Sequence, residues 1–136
     1  IYGSIDHVNE KGEFLRHCKA YLIDLHTMVT HTPAIFQQGS FFRTDFTRSV
    51  GLLKEYDCCF DYEYVLRCLK QGAKVKCCDF KVADFRQHTS SKTGSKTPFF
   101  IKDQLNISEQ YGRKWFHYLT WFSHLRLLKH KLFPRQ

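Results

Sequence analysis

Residues 35–88 read IFQQGSFFRTDFTRSVGLLKEYDCCFDYEYVLRCLKQGAKVKCCDFKVADFRQH, and this stretch decides the fold. Two acidic residues between aromatics, at positions 61 and 63, stand at the head of its clearest helix. A helix is predicted over residues 61–71, because one face repeats at helical spacing and a glycine follows at position 72. The residues of that face are Asp61, Tyr64, Val65, Cys68 and Leu69.

Short strands and further helices are predicted on both sides of this helix. The strands cover residues 1–8, 13–18, 34–43, 74–78 and 80–85, and a turn at residues 9–12 joins the first two into a hairpin. The helices cover residues 21–29, 44–51, 99–110 and 113–133. This mixture predicts an α/β chain, α+β within these residues, in which a mixed sheet is flanked by helices and followed by C-terminal helices.

The segment TSSKTGSKT, residues 89–97, contains no apolar residue and is predicted to be a basic, hydroxyl-rich loop. It divides the chain into a domain at residues 1–97 and a basic, aromatic helical extension at residues 98–136. The chain begins at Ile1, and its only methionine is Met28. We therefore expect it to be a processed form or a part of a longer protein.

The composition favours a globular protein with anionic partners. The net charge is +8, and an excess of Lys and Arg attracts nucleic acid, phosphate groups or acidic membrane surfaces. Aromatic residues make up 16% of the chain, which is typical of a dense aromatic core or of a surface that binds rings, sugars or lipid. The sequence has no apolar run long enough to predict a membrane span. Its 6 cysteines include two adjacent pairs but no C-x-x-C, which favours free thiols over a zinc site.

Asp61 has two interpretations. A carboxylate at a helix start accepts backbone N–H groups and meets the positive end of the helix dipole, so Asp61 would be an N-cap, and Glu63 in the first turn fits the same role. Alternatively, a carboxylate between Phe60 and Tyr62 at the mouth of a pocket would deprotonate a hydroxyl nucleophile. The two roles are compatible.

Two further polar groups accompany the predicted strands. Gln37, Gln38 and Gly39 form either the polar face of a strand with a glycine bulge or a site for a polyhydroxylated ligand that approaches the backbone at the glycine. Arg86 and His88 form either a strand end that runs into a solvated loop or part of a diphosphate cradle. In the cradle, Arg86 provides forked donors and His88 binds a divalent metal. The loop residues of the cradle are Ser90, Ser91 and Lys92.

Residues 113–135 read RKWFHYLTWFSHLRLLKHKLFPR, a segment rich in Lys and Arg that contains no acidic residue. Its apolar positions are compatible with one helical face, formed by Trp115, Phe116, Leu119, Phe122 and Leu125. This helix either packs on the domain with a solvated basic edge or lies on an anionic lipid surface.

Several short motifs occur in the order typical of family 2 glycosyltransferases, and residues 35–92 resemble the C-terminal half of their GT-A catalytic domain. The motifs are Gln38-Gly39-Ser40 with Phe41-Phe42-Arg43, Val50-Gly51, Asp61-Tyr62-Glu63 with Leu66-Arg67, Gly72, and Arg86-x-His88 with Ser91 and Lys92. Residues 1–4 and the turn at 9–12 look like the strand and turn that follow the family's metal-binding Asp motif.

The resemblance implies a partial GT-A-like domain of a transferase that uses a nucleotide-activated sugar, with Mg or Mn, by a single inverting displacement. Such enzymes act in cell wall or polysaccharide biosynthesis. Asp61 would be the general base, and His88 would lie near the metal. The acceptor or sugar site would be lined by Gln37, Gln38, Gly39, Tyr62 and Glu63, and the diphosphate would be held by Arg86, Ser90, Ser91 and Lys92. Phe60 stands where the family often has an acid, so Glu63 would be the second carboxylate.

The family's nucleotide-binding half and its Asp-x-Asp motif are absent from these 136 residues. The chain alone is therefore expected to be inactive, with most metal ligands upstream. The expected partners are a nucleotide-sugar donor and a glycan, lipid-linked or other hydroxyl acceptor. The expected location is cytoplasmic, or peripheral on the inner face of the membrane through residues 113–135. The alternative is a non-catalytic basic module that binds nucleic acid or an anionic membrane; nucleic acid is the less favoured partner because no recognised nucleic-acid motif occurs.

Overall fold

The computed structural model describes residues 1–31, 35–88 and 97–114, together with residues 121, 122, 124, 125, 128 and 129. The described part is a mixed α and β structure in which a three-stranded sheet is flanked by helices. The strands are β1 (Tyr2–Val8), β2 (Phe14–Cys18) and β3 (Cys77–Arg86). The helices are α1 (Leu25–His31), α2 (Thr44–Val50), α3 (Phe60–Lys70) and α4 (Thr97–Gln110), with a 3-10 turn at Gln37–Gly39.

The hairpin predicted at the start of the chain is confirmed. Asn9 closes its turn, because the Asn9 Oδ1 atom accepts the backbone N–H groups of Lys11 at 3.0 Å and Glu13 at 2.9 Å. Gly12 has a φ of 86°, which glycine adopts without steric cost. β2 therefore returns antiparallel to β1, with Ile5 opposite Cys18 and His7 opposite Arg16.

Strand β1 is the centre of the sheet, whose order is β2-β1-β3. β3 runs parallel to β1 and meets it with Ile5 opposite Ala83 and His7 opposite Phe85. Six of the 7 residues of β1 are buried, which is expected of a strand covered on both faces. Since a Cβ atom at Gly3 would stand 2.1 Å from a methyl carbon of Val82, the glycine permits the close approach of β3.

The core lies between this sheet and the helices. From α3 it takes Leu66, which is fully buried, and from α1 it takes Met28, also fully buried. Ile107 of α4 belongs to the same cluster. The division of the chain at residue 97 stays a prediction. All six cysteines lie among the described residues, and no disulfide joins any two of them.

Three predicted elements differ from the structure. The strand predicted over residues 34–43 is wrong: Gln37–Gly39 is a 3-10 turn, and Ser40 makes one isolated bridge with Tyr2. The helix predicted from residue 21 begins at Leu25, because the Asp24 Oδ1 atom accepts the Thr27 N–H at 2.7 Å and starts the helix there. In place of the two strands predicted at 74–78 and 80–85, the structure has the single strand β3. The register in which β3 pairs with β1 shifts on both sides of Ser4.

Candidate functional site

Asp61 lies in the first turn of α3, two residues after the N-cap position. The helix begins at Phe60, and Cys59 occupies the N-cap position without a side-chain capping bond, so the predicted cap position is wrong by two residues. The Asp61 side chain nevertheless accepts a backbone N–H, that of Tyr62, at 2.8 Å. Among the described residues, no cation lies within ion-pair distance of its carboxylate.

Burial sets the electrostatics of Asp61. Loss of solvent around the half-buried carboxyl raises its pKa, and the backbone N–H of Tyr62 opposes this rise only in part. A carboxylate with a raised pKa is a stronger base than a solvated one, which suits it to remove a proton from a hydroxyl group.

Contacts between α4 and the residues before α3 fix the entry into this first turn. The Cys58 N–H donates to the Asp103 carboxylate at 3.2 Å, and the Cys59 thiol donates to the Phe100 carbonyl at 3.5 Å. Because both acceptors lie on α4, this helix determines where the first turn of α3, and with it Asp61, is placed.

Glu63, two residues after Asp61, is fully buried and surrounded by donors. Lys54 Nζ lies 3.0 Å from its Oε1, Arg67 Nη2 lies 3.1 Å from its Oε2, and the Tyr111 hydroxyl donates to Oε1 at 2.8 Å. Desolvation alone would raise the pKa of Glu63, but the bonds from Tyr111 and Lys54 and the charge of Arg67 outweigh it and hold the pKa below its usual value. Glu63 is therefore an ionised, structural acid.

The Glu63 cluster, formed by Lys54, Glu63, Arg67 and Tyr111, also orders the loop before α3. Arg67 donates to the carbonyls of Val50 at 3.1 Å and Leu52 at 2.8 Å, in addition to its bond with Glu63. One buried carboxylate thus connects the end of α2, the following loop, α3 and the residue after α4.

Tyr62 is also part of the interior. Its ring is buried in the core, and its hydroxyl donates to the Met28 carbonyl at 2.9 Å. The acceptor contacts predicted for Tyr62 and Glu63 are therefore not available in this conformation, because both polar groups are occupied inside the protein. Residues next to Asp61 in sequence do not share its surface, since successive residues on a helix point about 100° apart.

The residues predicted to line the sugar or acceptor pocket divide into exposed and buried ones. Gln37 and Gln38 are exposed, whereas Gly39 is buried. A Cβ atom at Gly39 would lie 2.9 Å from the Gly3 carbonyl oxygen and 3.0 Å from a methyl carbon of Ile5. The glycine is thus explained by the packing of the 3-10 turn on β1, and only the two glutamines present side chains to solvent.

Arg86 ties the end of β3 to the hairpin turn. Its Nη1 atom donates to the carbonyls of Glu10 at 2.6 Å and Asn9 at 3.4 Å, and its side chain remains exposed. His88, two residues later, is exposed as well. The remaining predicted diphosphate contacts, Ser90, Ser91 and Lys92, lie outside the described residues.

Ring contacts bring the glutamine turn and the Arg86 end of β3 together. Phe36, just before Gln37, packs edge-on against His7 at 6.3 Å, and Phe85, just before Arg86, packs against the same ring at 5.1 Å. The predicted sugar-binding and diphosphate-binding segments thus meet over the end of β1. Asp61 is positioned by the separate set of contacts with α4.

His7 is a notable residue that sequence reasoning missed. It is 5% exposed, and neither ring nitrogen makes a hydrogen bond of acceptable geometry in the described part of the chain. Burial, and then the charge of Arg16 opposite, lower its pKa, while the nearby Gln87 amide opposes the shift. A lone histidine in a short strand gives no signal of this burial, because the sequence does not say that both faces of the strand are covered.

An aromatic surface adjoins the first turn of α3. The ring of Phe42, 45% exposed, packs against Tyr64 with centroids 5.9 Å apart, and the Arg67 guanidinium lies over Tyr64 at 5.2 Å. Tyr64 is three residues after Asp61, so both side chains lie on one face of α3. The carbonyl of Leu52 accepts a hydrogen bond from the same Arg67, and the Leu52 side chain is 90% exposed.

The predicted divalent metal stays a prediction. In residues 1–31, 35–88 and 97–114, no cluster of three or more His, Cys, Asp or Glu side chains has the arrangement of a metal site. Mg²⁺ and Mn²⁺ prefer carboxylate, carbonyl and water oxygens, so His88 could supply one ligand at most and the others would come from elsewhere.

Comparisons of the chain with protein-family models, with curated proteins and with solved structures gave no match. Within the described residues, no helix combines the length and the apolar character required to cross a bilayer.

Proposed function

We propose that this chain is the acceptor side of an inverting glycosyltransferase of the GT-A type, in which Asp61 is the general base. The observation that carries the proposal is the contrast between two acids in one helical turn. Glu63 is ionised and fully engaged by cations, whereas Asp61 has a raised pKa and no ion pair among the described residues. Opposite shifts of neighbouring acids are the usual sign that they have different roles.

In the proposed reaction, Asp61 accepts the proton of the acceptor hydroxyl while that oxygen attacks the anomeric carbon of a nucleotide-sugar. The bond between the anomeric carbon and the diphosphate oxygen breaks, and the nucleoside diphosphate leaves from the opposite face with inversion. A bound Mg²⁺ or Mn²⁺ would neutralise the leaving diphosphate. Gln37 and Gln38 would hydrogen-bond the sugar or the acceptor, and Arg86 and His88, with Ser90, Ser91 and Lys92, would lie near the diphosphate.

The aromatic surface beside α3 supports an acceptor at this place. A sugar ring or an apolar acceptor group resting on Phe42 and Tyr64 would be held one helical turn from the Asp61 carboxylate. Apolar surface with a convergent polar group is the common composition of ligand sites.

The test is transfer from a labelled nucleotide-sugar, measured on the whole polypeptide that contains these residues. Asp61→Asn is expected to lower kcat by roughly 10²-fold or more, with little change in the KM for donor, because a general base acts in the transition state. Asp45→Asn is the matched control, since Asp45 is also the second residue of its helix and its side chain is 81% exposed. An Asp61→Asn enzyme that transfers sugar at the wild-type rate would refute the base assignment.

A further inference from the structure

The described residues near the end of the chain include four large apolar side chains left in solvent. Trp121, Phe122, Leu125 and Leu128 are 59%, 65%, 62% and 52% exposed. All four are helical. This degree of exposure does not fit a helix whose apolar face is packed on the domain, which was one of the two interpretations of the sequence.

At the period of an α-helix, the sequence spacing of these four residues corresponds to one side. Leu125 and Leu128 stand four and seven positions after Trp121, which brings the three onto a common face, and Phe122 borders it. Lys129 lies beyond Phe122 on the same side, and His124 lies on the other flank of the apolar arc. The arrangement is an apolar stripe with basic or titratable residues at its edges, which is typical of helices that lie in a membrane interface.

The charge of this part of the sequence indicates which kind of surface the exposed apolar side chains would bind. The 23 residues from 113 to 135 contain six Lys or Arg and no Asp or Glu, and the whole chain carries +8. Arg113 is not part of this surface, because it is buried and its guanidinium donates to the Ser108 hydroxyl at 3.2 Å. Without Arg113, the sequence from 114 to 135 still contains five Lys or Arg and no acidic residue, and a basic, acid-free segment complements anionic lipid headgroups.

We propose that the helical face formed by Trp121, Phe122, Leu125 and Leu128, named here the C-terminal face, docks on an anionic membrane surface. The apolar side chains enter the boundary between headgroups and acyl chains, and the basic residues pair with lipid phosphates. The inference is independent of the proposed transfer reaction, because it uses neither Asp61 nor any residue of the candidate site.

The first test is flotation of the whole chain with vesicles of phosphatidylcholine alone and of phosphatidylcholine mixed with phosphatidylglycerol. The chain is expected to float with the anionic vesicles, and high salt is expected to weaken this binding. The double variant Trp121→Ala with Phe122→Ala is expected to lower the partition coefficient by roughly tenfold or more. Phe14→Ala with Leu15→Ala is the matched control, because it removes two side chains of β2 that are 63% and 49% exposed and should leave flotation unchanged.

A second measurement does not require the aromatic double variant to fold. With Trp115→Phe, Trp121 becomes the only tryptophan of the chain, and its fluorescence is expected to shift to the blue and to be quenched by lipids brominated in the acyl chain. Equal flotation of the wild type and the Trp121/Phe122 variant, or an emission that anionic vesicles leave unchanged, would overturn the proposal. So would a dimer in sedimentation that the same double variant dissociates, since the C-terminal face would then be a protein interface.

Discussion

Asp61 and Glu63 stand two residues apart in the first turn of α3, yet only the carboxylate of Glu63 is fully buried and paired with cations. The consequence is an opposite response to pH. The pKa of Asp61 is raised by burial, and that of Glu63 is lowered by the bonds of Tyr111 and Lys54 and the charge of Arg67, in spite of its desolvation. One acid therefore costs stability when it ionises, and the other contributes stability when it ionises.

Asp61→Asn is expected to stabilise the protein at neutral pH while it slows the proposed reaction. Because the folded-state pKa of Asp61 is raised, its cost is absent below the unfolded value of about 3.9 and grows as the pH rises through the folded value. Asparagine keeps an oxygen for the Tyr62 N–H without the charge. We expect a gain of roughly 1 kcal/mol in the free energy of unfolding at pH 7, measured by urea denaturation.

The gain should shrink as the pH is lowered towards 4, since Asp61 is then protonated in both states. Asp45→Asn, on an exposed side chain in the same helical position of α2, should change the free energy of unfolding by no more than about 0.5 kcal/mol. A loss of stability in Asp61→Asn at pH 7 would mean that the helix dipole, and not burial, dominates at this site.

Glu63→Gln is expected to destabilise the fold strongly. The substitution leaves Arg67, which is 16% exposed, and the more solvated Lys54 without their carboxylate. Removing one partner of a buried ion pair costs about 3 kcal/mol. Because the pKa of Glu63 is lowered in the fold, its contribution is present above the unfolded value of about 4.3 and is lost as the pH falls through the folded value.

The measurement for Glu63→Gln is chemical denaturation at pH 7 and again near pH 3, where the difference from the wild type should narrow. Glu55→Gln, at an exposed acid in the loop before α3, is the control. It should change the free energy of unfolding by no more than about 0.5 kcal/mol. If both substitutions had the same small effect, the cluster of Lys54, Arg67 and Tyr111 around Glu63 would not stabilise the fold.

Sequence patterns predicted the elements that depend on local signals, such as helical spacing of apolar residues or the residues of a turn. The helix predicted at residues 61–71 is α3 to within one residue at each end, and the hairpin follows from the turn chemistry of Asn9 and Gly12. The Glu63 cluster was not predictable, because its members come from a loop, a helix and a residue after α4. No local pattern records that such distant side chains converge.

The same limit applies to the candidate site. The sequence draws attention to Asp61 because a carboxylate at a helix start between aromatics is a local signal, and its role as a base stays a prediction. His7 was missed, because its burial depends on Phe36 and Phe85, which lie far away in the chain. Gln37 and Gln38 were predicted to lie on a strand, and the structure places them on a turn instead, because the neighbouring Gly39 packs directly on the backbone of β1.

His7→Leu is expected to raise stability, most of all at acid pH. The imidazole is buried between Phe36 and Phe85 without a hydrogen bond of acceptable geometry, so an apolar side chain of similar size should gain roughly 1 kcal/mol at pH 7. The pKa of His7 is lowered in the fold, so the unfolded chain binds the proton first. The wild type therefore loses stability as the pH falls below about 6.5. The variant, which lacks the imidazole, does not lose stability in this way.

Thermal unfolding of the wild type and of His7→Leu between pH 8 and pH 5 checks this expectation. His26→Leu, on an exposed position of α1, serves as the control and should not flatten the pH profile. Identical pH profiles for the wild type and His7→Leu would contradict the buried, neutral state of the imidazole.

Gly39→Ala separates two explanations of one glycine. If the glycine is needed for the turn to pack on β1, the added Cβ, 2.9 Å from the Gly3 carbonyl oxygen and 3.0 Å from Ile5, must push the turn away. The free energy of unfolding should then fall by about 1–3 kcal/mol without any ligand present. Gln38→Ala, on the exposed neighbour, should cost less than about 0.5 kcal/mol. A Gly39→Ala protein as stable as the wild type, but with weaker binding of a sugar ligand, would instead show that the glycine is kept for the approach of a substrate, as the sequence alone allowed.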